Sequence, residues 1–488
     1  MSMSSLCKAA AVAALLVPAG VAWAPAVAAG EPSPALHQTF QVSGGKTFPA
    51  LRCPRPVRNP PAVTRPGVSG PPPAGTEEEE LPAADAALQE LEQQALRPPS
   101  ADELREGLPD EAWLRALHRR LQQASGEGLA RAGIWGGSHM AAEFFVAELR
   151  QQMQARYGAG GVGHVNLLYG LPGIRLPVQA LCRQGKWQKS LAPRVSSMAP
   201  IAAGLGLFSL AARELPASLE LDPSAVAPAN VARFLTVQYL RQPGGGRMEV
   251  RVDDARVADI DTAGPSAIGS VRIRATADIR RLKLTALGPG PLEVLGVFAD
   301  GERGLVVDNF GITGASGSFW TTVRSDLLRQ AVEQRPYDLV VLAYGTNDVT
   351  GPQWDPQEYR QRFAATLVAM RQAMPEAMCV LITPGDRVTR SRVRRGPPGT
   401  DGRAGRPMPT RYDFRTYPER HREASRIQRE VGRQHQCMAW DLSMEMRKAG
   451  GAYALMQQDP PWVARDLIHL TPLGYREMAR LFLDWLRM

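Results

Sequence analysis

Short apolar runs alternate with longer amphipathic stretches from Gly304 to the end of the chain, and this alternation limits the possible folds more than any other feature. The apolar runs have the length of strands and are 304–309, 337–343, 378–382 and 437–441. The amphipathic stretches have the length of helices and are about 319–334, 355–374 and 414–434, with a final helix after Thr471-Pro472. Apolar strands separated by helices predict a parallel sheet with helices on both faces, an α/β/α fold.

A further strand candidate lies earlier in the chain, where Arg131-Ala-Gly-Ile-Trp runs into the turn Gly-Gly-Ser138-His139. A helix is predicted after this turn, from about 140 to 154. The catalytic and binding residues of a parallel sheet lie at the carboxyl ends of its strands, so Ser138 is expected at that edge. The first amides of the following helix would lie beside its hydroxyl, where they can receive a developing anion.

An acid and a histidine stand in one turn near the other end of the chain, in Asp466-Leu-Ile-His469. With this spacing the carboxylate can hold one ring nitrogen while the other ring nitrogen faces a nucleophile. A glycine turn with a serine is common, so the turn at Ser138 is weak evidence when it is taken alone. Together, Ser138, Asp466 and His469 are candidates for a catalytic triad.

The segment of roughly 160–303 has a different pattern, with short alternating strand candidates separated by turn residues. These candidates are 234–240, 248–252, 271–275 and 282–286. Such a pattern is typical of a β-sandwich. The catalytic domain, 128–158 and 304–488, is therefore predicted to be interrupted by an inserted β-sandwich that is a candidate carbohydrate-binding module. Insertion into a surface loop costs little loop entropy.

The residues before the catalytic domain divide into three predicted segments. One basic residue, a short apolar run and a small-residue cleavage site predict an export signal over 1–29, with an uncleaved anchor as the alternative. Residues 30–75 are rich in Pro and Gly and are predicted to be a flexible linker. Residues 76–127 are predicted to be helical and to pack on the catalytic domain or on a partner. A periplasmic or extracellular mature chain without a membrane span is expected.

The formal net charge of +9 favours anionic surroundings such as envelope polymers. Nucleic acid would be the rival partner, but the sequence has no basic helix with interleaved aromatic residues, so nucleic-acid binding is not expected. The loop 387–411 is crowded with Arg, Gly and Pro and should lie on the active-site side of the sheet. It could recruit an anionic polymer, or it could be a solvated loop.

Four cysteines follow the predicted signal: Cys53, Cys182, Cys379 and Cys437. Export permits disulfides, but the sequence does not pair these residues. Cys379 and Cys437 lie in two apolar strand candidates, where buried free thiols are the expected state. No Cys or His pair has metal-ligand spacing, so no structural zinc site is expected.

Two more motifs follow strand candidates. Gly314 follows the strand at 304–309, and the loop Gly345-Thr-Asn347-Asp348 follows the next strand along the chain. Glycine at 314 would let the backbone approach a ligand closely, because no Cβ intervenes.

Taken in order, these motifs resemble the SGNH, or GDSL-type, hydrolase superfamily over about 128–158 and 304–488. The matching residues are Ser138, Gly314, Gly345-Thr-Asn347-Asp348 and Asp466-Leu-Ile-His469. The resemblance implies a three-layer, flavodoxin-like α/β/α fold. One departure is Gly137, which stands where the family has an aspartate that braces the turn and the Gly-x-Asn-Asp loop.

The resemblance also implies the role of each site residue in acyl transfer. Ser138 would be the nucleophile, His469 the base and Asp466 the group that orients the histidine. The backbone amides of Ser138 and Gly314 and the side-chain amide of Asn347 would form the oxyanion hole. No cofactor or metal is implied.

The insert looks similar to that of exported peptidoglycan O-acetylesterases, through Gln242-Pro-Gly-Gly-Gly-Arg and Leu295-Gly-Val-Phe. The expected function is therefore a serine acetylesterase that acts on an O-acetylated envelope glycan, most of all peptidoglycan. An O-acetyltransferase with the same triad and a non-catalytic glycan-binding protein are the alternatives. A lipase is disfavoured because no long apolar lid segment lies near the motifs.

Overall fold

The computed structural model describes residues 36–53, 98–192, 199–225, 232–351, 353–392, 410–413 and 416–488. The predicted export signal at 1–29, and parts of the predicted linker, helical segment and Arg-rich loop, lie outside these residues. Within the described part of the chain, no helix combines the length and the apolar character that crossing a membrane requires.

The strands of the described residues are numbered here in chain order. They are β1 His37–Val42, β2 Leu129–Gly136, β3 Gly161–Val165, β4 Val178–Gln184, β5 Trp187–Leu191, β6 Phe208–Ala212, β7 Ala217–Ala225, β8 Phe234–Arg241, β9 Arg247–Val252, β10 Ala255–Asp261, β11 Ala267–Ala275, β12 Leu282–Leu287, β13 Leu292–Asp300, β14 Gly304–Gly311, β15 Leu339–Ala343, β16 Met378–Ile382, β17 Thr389–Arg392, β18 Thr410–Asp413 and β19 Cys437–Trp440.

The helices of the described residues are numbered in the same way. They are α1 Ala101–Glu106, α2 Glu111–Glu127, α3 Ser138–Ala141, α4 Phe144–Tyr157, α5 Ser325–Gln334, α6 Pro356–Ala373, α7 Thr416–Gln434, α8 Leu442–Lys448, α9 Gly451–Gln457 and α10 Pro472–Trp485, with a 3-10 helix at Gly317–Thr321. The last helix begins where the sequence predicts, because Thr471 Oγ1 accepts a hydrogen bond from Gly474 N at 3.1 Å and Pro472 occupies the first turn.

Five strands form the parallel sheet, in the order β14-β2-β15-β16-β19. Counted along the chain, these strands have the order 2-1-3-4-5, which is the flavodoxin-like arrangement. β2 pairs with β14 on one side and with β15 on the other. The chain passes from β2 to β14 on one side and then crosses to β15 on the other side. The strand order therefore reverses between β2 and β15, and in such sheets ligands bind in the crevice outside the carboxyl ends of the strands at this switch point.

Helices cover both faces of this sheet. Val340 and Leu342 of β15 belong to a hydrophobic cluster that includes residues of α5, α6 and α7. Their neighbours Leu339 and Val341 belong to a second cluster with residues of α2, α4 and α10. Because successive side chains of a strand point to opposite faces, the sheet separates two cores.

The chain between β3 and β13 forms two further sheets, and the four strand candidates predicted there are present as β8, β9, β11 and β12. One sheet has the order β1-β11-β8-β13-β6-β5, with β3 also paired to β13, and the other has the order β10-β9-β12-β7-β4. Buried residues of both sheets, such as Val237 and Val250, share one hydrophobic cluster with α5 to α7. The two parts of the molecule therefore have a continuous core.

The prediction of a flexible linker over 30–75 is wrong for the residues of this segment that the structure describes. β1 pairs in parallel with β11, and its Phe40 and Val42 pack against the core. Cys53 is joined to Cys182 of β4 by a disulfide. The Pro and Gly content of the whole segment concealed a short alternating run, His-Gln-Thr-Phe-Gln-Val, which has the period of a half-buried strand.

The prediction of buried free thiols at Cys379 and Cys437 is also wrong. The two residues stand opposite each other in β16 and β19, with a Cα–Cα distance of 4.6 Å, and they form a disulfide. Register between parallel strands is a tertiary property, so the position of each cysteine in its own strand could not reveal the pairing.

Candidate active site

Ser138 lies at the carboxyl edge of the parallel sheet, directly beyond β2. Gly137 precedes it in an extended conformation with φ −85° and ψ −150°, and Ser138 is the first residue of α3. Its side chain is partly exposed. The strand–turn–helix pattern thus places the hydroxyl at the switch point between β2 and β15.

The structure brings Ser138, His469 and Asp466 together although hundreds of residues separate them in the chain. Ser138 Oγ lies 2.9 Å from His469 Nε2. His469 Nδ1 lies 2.7 Å from Asp466 Oδ2. These distances form one continuous hydrogen-bond chain from hydroxyl to carboxylate, the geometry of an activated serine.

The turn that contains Asp466 holds the carboxylate in its ionised form. Its Oδ1 accepts hydrogen bonds from the backbone N of His469 at 2.9 Å and of Ile468 at 3.0 Å. Leu467 makes this turn possible by adopting a φ of 58°. Partial burial alone would raise the pKa of Asp466, but the hydrogen bonds from the His469 side chain and from the two amides outweigh it and leave the pKa well below its usual range.

Asn347 approaches the serine turn from the loop after β15, and Gly314 lies in the loop after β14. Asn347 Nδ2 donates one hydrogen to the carbonyl of Ala315 at 2.9 Å, which fixes the direction of the second hydrogen. A Cβ on Gly137 would lie 3.0 Å from the same nitrogen, so the serine turn and the amide are in contact. Gly314 has a φ of 79°, a conformation that favours glycine.

The loop that carries Asn347 is closed by its own residues and held from behind by α7. Gly345 N donates to Asp348 Oδ2 at 3.0 Å, which closes the turn around Asn347. Gln428 of α7 donates to the carbonyl of Tyr344 at 2.9 Å. These contacts fix the loop that carries the side-chain amide of Asn347.

A buried polar network behind the serine turn is a functional feature that the sequence analysis missed. Asn309 Nδ2 donates to the carbonyl of Met140 at 2.8 Å and to Glu143 Oε2 at 2.6 Å. Arg150 pairs with Glu143 Oε1 at 2.6 Å. Glu143 has a φ of 67°, a conformation that is uncommon for a residue with a side chain and that such fixed partners can sustain. The network holds the segment that directly follows Ser138.

His139 packs against His469 from the side. Its ring centroid lies 5.5 Å from that of His469, and its Nδ1 forms a hydrogen bond of 3.1 Å with the Tyr475 hydroxyl. Burial, followed by the charge of His469, lowers the pKa of His139 to about 3. A neutral ring is therefore packed against His469 at every pH at which the proposed base operates.

A family model identifies the domain that carries most of these residues. The model of the GDSL-like lipase/acylhydrolase family matches residues 296–477. Residues 296–477 form a GDSL-like lipase/acylhydrolase domain. This domain is that of a carboxylic ester hydrolase, as the order of the motifs implied. Ser138 lies outside the matched span, because the inserted sheets separate it in sequence from the rest of the GDSL-like domain.

Several solved structures are similar to this chain, and the first of those described here has the same fold. The structure of a peptidoglycan O-acetylesterase aligns with 77% of this chain and covers 95% of its own chain, with 23% identity and a TM-score of 0.57. An acetyl xylan esterase is similar to 37% of this chain over 79% of its own, with 19% identity and a TM-score of 0.25. A family two carbohydrate esterase from Cellvibrio japonicus is similar to 62% of this chain over 98% of its own, with 10% identity and a TM-score of 0.24. A search of curated protein sequences gave no match.

Proposed function

We propose that this chain is an exported serine esterase that removes O-acetyl groups from an envelope polysaccharide, namely peptidoglycan, through an acyl-serine intermediate. The observation that carries the proposal is the hydrogen-bond chain from Ser138 Oγ through His469 to Asp466. A serine that only capped a helix would have no need of an imidazole 2.9 Å from its hydroxyl.

The first half of the reaction transfers the acetyl group to the enzyme. Ser138 Oγ attacks the ester carbonyl while His469 Nε2 takes the hydroxyl proton. Asp466 accepts a hydrogen bond from Nδ1, so Nε2 carries the lone pair that this step needs. When the tetrahedral intermediate collapses, His469 returns the proton to the sugar oxygen, which leaves as an alcohol.

The developing oxyanion would be held by donors that are already in place. The backbone amides of Ser138 and Gly314 and the side-chain amide of Asn347 are the proposed donors. The bond from Asn347 to the Ala315 carbonyl supports this role, since it fixes the amide before substrate binds. Donors that need no reorganisation contribute most to lowering the barrier.

The second half of the reaction releases acetate. His469 takes a proton from water as that water attacks the acyl carbonyl, and Ser138 leaves with the proton restored by His469. A sugar hydroxyl in place of this water would give transfer instead of hydrolysis, so the two activities share every step up to this point.

The exposure of the site supports a polymeric substrate. The side chains of His469 and Asp466 are 42% and 47% exposed. An ester on a long glycan can reach a triad at the surface, whereas a long acyl chain needs a deep apolar pocket to bury it. The net charge of +9 would favour an anionic polymer, and the structure of the similar fold is that of a peptidoglycan O-acetylesterase.

The two sheets between β3 and β13 are proposed to form an inserted β-sandwich that binds the glycan. Phe234 supports this role, because its ring is only partly buried and the Arg272 guanidinium lies 4.5 Å from its centroid. A partly exposed ring covered by guanidinium groups suits an acidic sugar, because the cations can bind its carboxylate. Export is proposed from the predicted signal at 1–29.

The decisive experiment measures acetate released from O-acetylated cell-wall sacculi by the purified protein. Wild type should release acetate, and Ser138→Ala should lose activity by a factor on the order of 10⁴ or more. Ser190→Ala, on a strand of the proposed sandwich, is the matched control and should match wild type. Equal release by wild type and Ser138→Ala would reject the esterase.

A second assay separates hydrolysis from transfer. With an acetyl donor and a glycan acceptor both present, a hydrolase yields free acetate, whereas a transferase yields O-acetylated acceptor. Recovery of the acetyl group mainly on the acceptor would replace the hydrolase by an O-acetyltransferase. Binding to sacculi without release or transfer of acetate would favour the glycan-binding alternative.

A further inference from the structure

Arg387 lies beside the proposed triad in the loop that follows β16. It lines a cavity of about 10 Å³ whose other lining residues include His139, Thr346 and Ile468. His139 adjoins Ser138, Thr346 adjoins Asn347 and Ile468 adjoins His469 in the chain. One arginine therefore stands next to three of the groups that the proposed reaction uses.

The guanidinium of Arg387 stacks on an aromatic ring, and the Asp466 carboxylate acts on it through its charge without forming an ion pair with it. Its Cζ lies 4.7 Å from the centroid of the Tyr417 ring. Among the residues that the structure describes, no carboxylate pairs with it, and its buried Nε has no hydrogen-bond acceptor. Burial lowers the pKa of Arg387, although Tyr417 and the charge of Asp466 act in the opposite direction.

Other arginines nearby are satisfied by the protein. Arg420 approaches the same Tyr417 ring at 5.8 Å, but its Nη1 donates to the Gly351 carbonyl at 2.7 Å. Arg426, on the same helix, pairs with Glu423 at 2.6 Å. Arg387 thus differs from them, because within the described residues its guanidinium donates no hydrogen bond to the protein.

We propose that Arg387 binds a carboxylate on the alcohol part of the ester, so that the site selects acetyl esters of acidic sugars; this inference rests on the proposed function. The planar guanidinium matches a carboxylate with two parallel hydrogen bonds, and stacking on Tyr417 fixes its plane. Muramic acid carries such a group on its lactyl ether where no peptide is attached. Where a peptide is attached, the lactyl carboxyl is an amide and the free carboxylates are those of the peptide.

The test compares esters that differ only in charge. The substrates are 6-O-acetyl-N-acetylmuramic acid, its lactyl primary amide and its L-alanine conjugate, with p-nitrophenyl acetate as the small neutral ester. In Arg387→Gln, kcat/KM for the acid should fall at least tenfold, while the amide and p-nitrophenyl acetate change less than about twofold. Arg387→Lys keeps the positive charge but lacks the planar guanidinium, so its kcat/KM for the acid should lie between those of wild type and Arg387→Gln.

The controls separate this role from a structural one. Arg426→Gln removes one charge from α7 away from the cavity and should leave all four rates unchanged. If Arg387→Gln lowers kcat/KM for the L-alanine conjugate but not for the acid, the carboxylate that Arg387 binds lies on the peptide. This result still supports the proposal. Equal losses for the acid, the amide and p-nitrophenyl acetate would overturn it, since Arg387 would then only support the site.

Binding provides a readout that does not need turnover. In the Ser138→Ala background, calorimetry with N-acetylmuramic acid and its lactyl amide gives Kd without hydrolysis. Arg387→Gln in this background should weaken binding of the acid at least tenfold and remove its advantage over the amide. Unchanged binding would overturn the proposal, whereas loss of this preference together with an inactive wild type would reject only the esterase.

Discussion

Among single residues, Gly137 and Asn347 decide how the proposed oxyanion hole is built. A Cβ at position 137 would stand 3.0 Å from Asn347 Nδ2, so a larger residue there would press on the amide. In this chain the Ala315 carbonyl, 2.9 Å from the same nitrogen, holds the amide. A backbone acceptor therefore braces the group that lies next to the family's usual aspartate position.

Asn347→Ala should lower kcat by about 10²–10³-fold with little change in KM, because the amide would stabilise the oxyanion more than the bound ester. Asn347→Asp has nearly the same shape but presents a negative oxygen, so it should be at least as slow. Steady-state hydrolysis of p-nitrophenyl acetate by both variants checks this. An active Asn347→Asp enzyme would remove Asn347 from the oxyanion hole.

Asn309 of β14 holds the segment after Ser138 in place through its side-chain hydrogen bonds. Asn309→Ala removes its bonds to the Met140 carbonyl and Glu143, which should cost about 1–3 kcal/mol of unfolding free energy. Because the segment after Ser138 loses its support, kcat should also fall while KM changes little. Urea unfolding and esterase kinetics measure the two effects.

Gln238→Ala is the matched control for this positioning role. Gln238 is also buried, and it donates to the Ala331 carbonyl at 3.3 Å, away from the serine turn. Gln238→Ala should lose as much unfolding free energy as Asn309→Ala but keep the wild-type kcat. Equal kcat values for the two variants would show that the Asn309 network serves the fold alone.

At the scale of secondary-structure elements, disulfides fix two contacts that hydrogen bonds alone would hold more weakly. Cys379 and Cys437 join β16 to β19, the last strand of the parallel sheet. Cys53 and Cys182 join the chain beyond β1 to β4. An edge strand and a terminal segment are the elements most prone to open locally, so each disulfide ties down such an element.

Replacing Cys379 and Cys437 together by Ala should lower the unfolding free energy by about 2–4 kcal/mol, because the disulfide closes a long loop in the unfolded chain. Urea unfolding at neutral pH measures the loss. A thiol titration of the denatured, unreduced protein should find no free thiol apart from Cys7 where that residue is retained. Two or more additional thiols would contradict the pairing.

At the scale of the whole molecule, a buried ion network joins the antiparallel sheets to the catalytic part. Arg335 pairs with Asp300 at the end of β13 and with Asp308 of β14, each at 2.6 Å. Burial alone would raise the pKa of Asp308, but Arg335 and the Tyr337 hydroxyl outweigh it and lower the pKa. Losing one partner of such a network typically costs about 3–5 kcal/mol, so the network fixes how the two parts meet.

Acid should destabilise the molecule well before its carboxylates are protonated. Burial lowers the pKa of His139 to about 3 and of His164 and His421 to about 4. In the unfolded chain these rings bind protons below a pH of about 6.5, whereas the folded chain does not. The unfolding free energy should therefore be fully present above pH 6.5 and fall steadily towards pH 4.

With three such rings, the slope approaches about 4 kcal/mol per pH unit as an upper bound. Urea unfolding at intervals between pH 7 and 4.5 measures it. His164→Leu should reduce the slope of the unfolding free energy against pH by the contribution of about one proton. An unchanged slope in that variant would show that this ring does not resist protonation in the folded state.

Local pattern was enough for much of this structure. The apolar strands, the cap at Thr471 and the four strand candidates of the insert depend on neighbouring residues, and the structure has them at nearly the same bounds. Ser138 could be selected because it stands in a motif at a strand end, and Asp466 and His469 because they share one turn at a spacing that suits a triad. The strand β1 could not be separated from its Pro-rich surroundings, because its partner β11 lies more than 200 residues away.

What the sequence by itself determined was the set of elements, their order and the residues at the strand ends, because hydrophobic period, turn residues and caps act over a few positions. Only the tertiary structure decided which groups meet: Cys379 with Cys437, Asn309 with Glu143, and Arg387 with Tyr417. These contacts depend on strand register and on the packing of distant segments, and both follow from the burial of one shared core.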